Sequence, residues 1–359
     1  MSVEALLERE PYRIPQAEKE QLLAARLDEL VAHHRAACPP YARVLDALWE
    51  SAPIETPADA PWLPVQLFKS HELRSIPIGD VFKVLTSSGT TGGRASRIYL
   101  DRGSAALQTR TLASIMRALL GSERRPMIVV DARETVRDRR SFSARGAGIL
   151  GMATFGRDHL YALDADMSLR RDELHEWLAG HSGEPLLLFG FTFMVWQHLL
   201  EQLEPGEVDL SQAVLVHSGG WKQLQDRAVG DAEFRARLRE LTGIPRVANF
   251  YGMVEQIGTV FLQCERGRLH APNAADVIVR DPETWEPAAD GETGVVQVVS
   301  ALPTSYPGHS LLTEDLGTVV ARDDCGCGWL GTAVEIHGRV PRAELRGCSD
   351  THAAGWSAS

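Results

Sequence analysis

Apolar residues recur at three- and four-residue spacing through AEKEQLLAARLDELVAHHRAA (17–37), which predicts a helix that CPPY (38–41) ends. The helical character extends to about residue 60, and PIETPADAPWLP (53–64) reads as a connecting loop. From residue 81 the pattern changes to short apolar runs followed by amphipathic segments. PMIVVDA (126–132) precedes SLRRDELHEWLAG (168–180), PLLLFGF (185–191) precedes MVWQHLLEQL (194–203), and AVLVHSGG (213–220) precedes DAEFRARLRELTG (231–243), with RVANFYG (246–252) next. Such alternation predicts an α/β fold, parallel strands joined by crossover helices. Beyond residue 257 the runs TVFLQCE, ADVIVRD, GVVQVVS and WLGTAVEIHGR are separated by Gly, Pro and Asp, which predicts a mainly β closing region. The expected division is a helical segment (1–60), an α/β core (61–256), a β-rich part (257–340) and a short tail (341–359).

In open α/β sheets ligands bind at the carboxyl ends of strands, and three polar segments fall there. The first is TSSGTTGG, whose Thr86, Ser87, Ser88, Gly89, Thr90, Thr91 and Gly92 offer hydroxyls and backbone N–H groups to an anion, although a polar surface turn has the same composition. No lysine follows its glycines, so the phosphate loop of common ATPases is excluded. The second is HSGGWK with Ser218, Gly219 and Gly220. The third is NFYGMVEQIG (249–258), where Tyr251 next to Gly252 could stack on a flat base and Glu255 could hold a Mg²⁺. TEDLG (313–317) adds Asp315 and GRV (338–340) adds Arg339, groups suited to ribose hydroxyls and phosphate, though each alone reads as a turn or a surface detail.

Composition narrows the field. A net charge of −11 opposes partnership with nucleic acid or anionic lipid. The longest uncharged apolar run, PLLLFGFTFMVW, is short of the roughly 18 residues of a membrane span, and MSVEALLEREPYR lacks the form of a secretory signal, so a cytoplasmic location is expected. Five cysteines make no disulfide framework. Cys264 and His270, then Cys325 and Cys327, form two short-spaced pairs that together supply the ligands of a closed zinc site; buried cysteines packed separately are the alternative. Phe189, Phe191, Phe193, Met194 and Trp196 could line an acyl tunnel or belong to ordinary core.

The order of motifs, TSSGTTGG, SGG, YGMVE, ED-x-G and GR over residues 81–348, resembles that of the adenylate-forming superfamily. LPVQLFK (63–69), SFSARGAGILG (141–151), LLFGFTFMVW (187–196), VLVHSGGWK (214–222) and ELRGCS (344–349) are most similar to bacterial acyl-protein synthetases of the LuxE type, and next to the phenylacetate-CoA ligase branch. That branch also shows the Cys-x₅-His and Cys-x-Cys spacing. The resemblance implies an adenylate-forming fold, ATP and Mg²⁺, and two steps: formation of an acyl-adenylate from a fatty acid, then displacement of AMP by a thiol. In related CoA ligases a further domain of about a hundred residues follows the Gly-Arg motif and supplies a lysine. Twenty residues follow Arg339 here, so Lys222 and Lys69 become candidates for that role. The resemblance also assigns the acyl-accepting thiol to Cys348, with Arg346 and His352 nearby but neither assigned as its activator.

The expected function is an ATP-dependent fatty acid:protein ligase that loads Cys348 and hands the acyl group to an acyl reductase. Two alternatives stand beside it. One is an acyl- or aryl-adenylating ligase that donates to CoA or a carrier protein; the other is a non-catalytic nucleotide-binding regulatory subunit.

Overall fold

The computed structural model describes residues 3–50, 52–87, 95–137, 144–220 and 229–340. Three helices open the chain: α1 (Glu4–Leu7), α2 (Gln16–Ala37) and α3 (Pro39–Leu48). Cys38 is the extended residue between α2 and α3, as expected where two prolines follow and cannot continue the first helix. The Lys19 ammonium of α2 lies 3.4 Å from Asp276, with both side chains almost fully buried, and this ion pair pins the helix to the β region.

After α3 come β1 (Leu63–Pro64), α4 (Leu67–Ser70) and a hairpin of β2 (Lys83–Thr86) and β3 (Arg97–Leu100). α5 (Arg102–Leu120) is capped by the Asp101 carboxylate, which accepts a 2.6 Å bond from the Ser104 N–H. The alternating region then follows: β4 (Arg125–Ala132), α6 (Ala144–Ala153), β5 (Gly156–Leu163), α7 (Arg171–Gly180), β6 (Leu186–Phe191), α8 (Thr192–Val195), β7 (Ala213–Ser218), α9 (Asp231–Thr242) and β8 (Arg246–Tyr251). These five strands run parallel in the order β8-β7-β6-β4-β5.

Their apolar residues point alternately to two cores. Met127, Val129, Leu187, Val214 and Val216 meet α5 and α6, while Ile128, Val130, Leu188 and Leu215 meet α7 and α9. Each such side chain contributes about 1.5–3 kcal/mol by leaving water, which is why a strand covered on both faces reads as a continuous apolar run.

The sheet does not stop at β8. It continues antiparallel through β9 (Phe261–Gln263), β10 (Leu269–His270), β11 (Ala275–Arg280), β12 (Thr293–Ser300), β13 (Ser310–Arg322) and β14 (Thr332–Arg339), twelve strands among the described residues with β1 included. The segment TEDLG, expected as a turn, lies inside β13. The register shifts between Leu316 and Gly317, and a Cβ on Gly317 would stand 2.9 Å from the Glu335 carbonyl, so the glycine admits the close approach of β14.

Candidate functional site

Adjacent strand ends bring the polar segments together. Ser218 ends β7 opposite Phe250 of β8, and its hydroxyl donates to the Phe250 carbonyl at 3.1 Å. One residue on, the Tyr251 hydroxyl donates to Asp315 Oδ2 at 2.7 Å, and Arg339 of β14 stands in register with Asp315. Residues 64 and 88 positions apart in sequence thus share one place because β13 and β14 fold back beside the parallel strands. Burial holds the Tyr251 phenol well above its usual range, with the Asp315 charge adding to the effect. Burial also raises Asp315, opposed by the Tyr251 bond and by Arg339. The other Asp315 oxygen has no hydrogen bond among the described residues.

Gly252 lets the chain turn against Val260, where a Cβ would stand 2.9 Å from that side chain. Glu255 follows in one tight turn, Val254–Gln256, and is only 6 % exposed. Burial raises its pKa, while the Ser96 hydroxyl and the Lys69 ammonium act in the opposite direction. Ser96 closes the hydroxyl-rich segment: its N–H donates to Ser87 Oγ at 2.9 Å, and the Ser87 N–H donates to the Ser96 carbonyl at 3.2 Å. The β2–β3 hairpin, in which Thr86 pairs with Arg97, therefore sets Ser87 and Ser96 side by side. Ser96 was not singled out from the sequence, although it ends the same hydroxyl run. Lys69 arrives on α4, which β1 guides into place by pairing with Leu311 and Leu312 of β13. Ser88, Gly89, Thr90, Thr91, Gly92, Lys222 and Cys348 lie outside the described residues.

The structure does not gather the aromatic residues into one lining. Phe189 and Phe191 stand on one face of the sheet, 5.8 Å apart, with Phe191 against Gly148 of α6. Phe193 and Trp196 pack with Met194 on the other face, where Trp196 stacks on Phe234 at 6.2 Å. Two grooves, of about 490 and 300 Å³, border α3 and include none of these residues.

A second cluster forms where β9, β10 and the 323–331 turn meet. Donor atoms of Cys264, His270, Cys325 and Cys327 all lie within 4.8 Å of one another. The Cys264 and Cys325 sulfurs are 3.8 Å apart, Cys327 Sγ is 3.4 Å from His270 Nε2, and the Trp329 N–H donates to Cys327 Sγ at 3.4 Å. Without a cation, burial pushes the Cys327 thiol up to about 12 and His270 down to about 4. The four side chains form a set that could hold a metal ion.

Residues 2–355 match the family described as acyl-protein synthetase, LuxE. The chain belongs to the LuxE acyl-protein synthetase family. Among curated LuxE-like relatives, a long-chain-fatty-acid–luciferin-component ligase of Aliivibrio fischeri is 26% identical over 311 residues, covering 82% of this chain and 78% of its own length. The protein of the same name from Vibrio harveyi is 28% identical over 176 residues, or 47% of this chain and 44% of its own. An open conformation of 2-hydroxyisobutyryl-CoA ligase, solved with 2-HIB-AMP and CoA, is similar in fold with a TM-score of 0.70 at 18% identity, covering 93% of this chain and 72% of the ligase. The α/β fold of this LuxE-family chain is thus of the adenylate-forming ligase type. Among its described residues no helix is long and apolar enough to cross a membrane.

Proposed function

We propose that this LuxE-family chain activates a long-chain fatty acid with ATP and transfers the acyl group to its own Cys348. A carboxylate oxygen of the acid attacks the α-phosphorus of ATP, the bond to the β-phosphate oxygen breaks, and pyrophosphate leaves. The Cys348 thiolate then attacks the acyl carbonyl carbon and AMP leaves with the bonding electrons. The thioester is the substrate that an acyl reductase would consume.

The observation that carries this reading is the Tyr251–Asp315 bond with Arg339 in register beside it. Tyr251 holds one Asp315 oxygen and leaves the other for ribose hydroxyls, while Arg339 balances the nucleotide's negative charge. Ser218, Gly219 and Gly220 border the same strand ends, and Thr86 to Gly92 would cradle the phosphates. Glu255 fits a Mg²⁺ ligand, since its carboxyl is buried and the ionised form it resists is the form a cation favours. Bound there, Mg²⁺ supplies positive charge to the phosphate oxygens as pyrophosphate departs. Lys69, which acts on Glu255, suits the role of the lysine that neutralises charge at the reacting phosphate; Lys222 is the other candidate. Phe189 and Phe191, on one face, suit the acyl chain better than Phe193 and Trp196, which pack across the sheet. The division at 60, 256 and 340 belongs to the same reading, with 341–359 as the arm that carries Cys348.

The Cys264, His270, Cys325, Cys327 set suits a structural Zn²⁺. Tetrahedral zinc with Zn–S of about 2.3 Å and Zn–N of about 2.0 Å separates two sulfurs by about 3.8 Å and a sulfur from a nitrogen by about 3.5 Å. The corresponding separations here are 3.8 and 3.4 Å.

Acid-dependent exchange of pyrophosphate into ATP tests the first step. Long-chain fatty acids should support it, and Lys69→Met should lower kcat by about 10²–10³ if Lys69 stabilises the transition state. No exchange with any acid of a wide panel would contradict the reading.

A further inference from the structure

Beneath the Ser218–Gly220 turn lies a buried relay that the function described so far does not use. Thr192, the first residue of α8, places its hydroxyl oxygen 2.7 Å from the Gly219 carbonyl, 2.9 Å from His217 Nδ1 and 3.3 Å from the Ser218 carbonyl. A hydroxyl has one proton to give. If it went to His217, two acceptor oxygens would stand 2.7 Å apart with no hydrogen between them. The proton therefore goes to the Gly219 carbonyl, and His217 Nδ1–H donates to Thr192. This leaves His217 Nε2 bare, and that atom is buried without a hydrogen-bond partner among the described residues, beside the Phe234 ring. Burial lowers His217 to about 3, so the ring stays neutral and the relay keeps its direction at physiological pH.

The Gly219 carbonyl shares a trans peptide with the Gly220 N–H, and the two point in opposite directions. Fixing the carbonyl inward on Thr192 fixes the N–H outward. Gly219 reaches this arrangement at φ +82, a conformation glycine adopts without strain, and Gly220 is exposed at the strand end.

We infer that Thr192, oriented by His217, is a positioning residue that holds the Gly219–Gly220 peptide so that the Gly220 N–H donates a hydrogen bond to the bound nucleotide. This rests on the proposal that the Ser218–Gly220 turn borders the nucleotide. Thr192 itself touches no substrate.

The test is calorimetric titration of the full chain with Mg²⁺–ATP, comparing wild type with Thr192→Val and Thr192→Ser, each with its melting temperature. Thr192→Val keeps the shape and removes the donor, so ATP binding should weaken about tenfold, the factor that one lost hydrogen bond of ~1.4 kcal/mol represents. Thr192→Ser keeps the donor and should bind within about twofold of wild type. A Thr192→Val protein that melts earlier but binds ATP as wild type does would overturn the inference and leave a purely structural hydroxyl. Equal weakening in Thr192→Ser would overturn it as well. Wild type that binds no nucleotide would overturn the underlying reading together with it.

Discussion

Tyr251→Phe isolates the bond at the centre of the site. The ring is retained, and with it the contact to Phe261 at 6.0 Å, so only the hydroxyl is lost. That hydroxyl donates over 2.7 Å to a buried carboxylate, a charge-assisted bond of about 1.5–3 kcal/mol when Asp315 is ionised and about 1 kcal/mol when it is neutral. Asp315 has a folded pKa raised by burial. Its neutral form therefore favours folding, a contribution fully present below the unfolded pKa and lost as pH rises through the folded one. Removing the hydroxyl leaves the ionised form less offset and moves the folded pKa further up. Urea denaturation of wild type and Tyr251→Phe should show a difference of about 2 kcal/mol at pH 8 that shrinks toward about 1 kcal/mol as the pH falls below the carboxylate range. A difference independent of pH, or one that grows in acid, would refute the argument.

Two further predictions concern the scaffold. Purified protein should carry about one zinc per chain by elemental analysis, and Cys327→Ser should lose it and unfold several kcal/mol more easily; protein purified under metal-replete conditions without metal would contradict the assignment. Lys19→Met leaves Asp276 buried without its cation and should cost about 3–5 kcal/mol by denaturation, whereas pairing it with Asp276→Leu should restore most of that loss.

The alternation of the core was legible because parallel strands covered on both faces must be apolar throughout, as PMIVVDA, PLLLFGF and AVLVHSGG are. β5 is not legible in the sequence: GRDHLYAL carries charges that an edge strand can expose, and its apolar pattern is broken. β13 was hidden for another reason. TEDLG carries turn-forming residues, and only the bulge at Gly317 and the pairing with β14 reveal it as strand. At the site, residue types named Tyr251, Glu255, Asp315 and Arg339 individually. What sequence could not give is that Tyr251 bonds to Asp315, because that contact is made by the return of the antiparallel strands. The Cys/His set was legible by ligand chemistry and short spacing. Thr192 gave no signal, since its hydroxyl meets the carbonyl of Gly219, 27 residues on in sequence.

Self-acylation is the claim on which the account turns. Intact-mass analysis of the purified chain with ATP, Mg²⁺ and a series of fatty acids, run beside Cys348→Ser, tests it most directly. The account predicts an ATP-dependent mass increase matching one acyl group, removed by hydroxylamine and absent from the variant. An unmodified wild-type chain that nevertheless releases AMP in an acid-dependent way, or a variant acylated as fully as wild type, would contradict it.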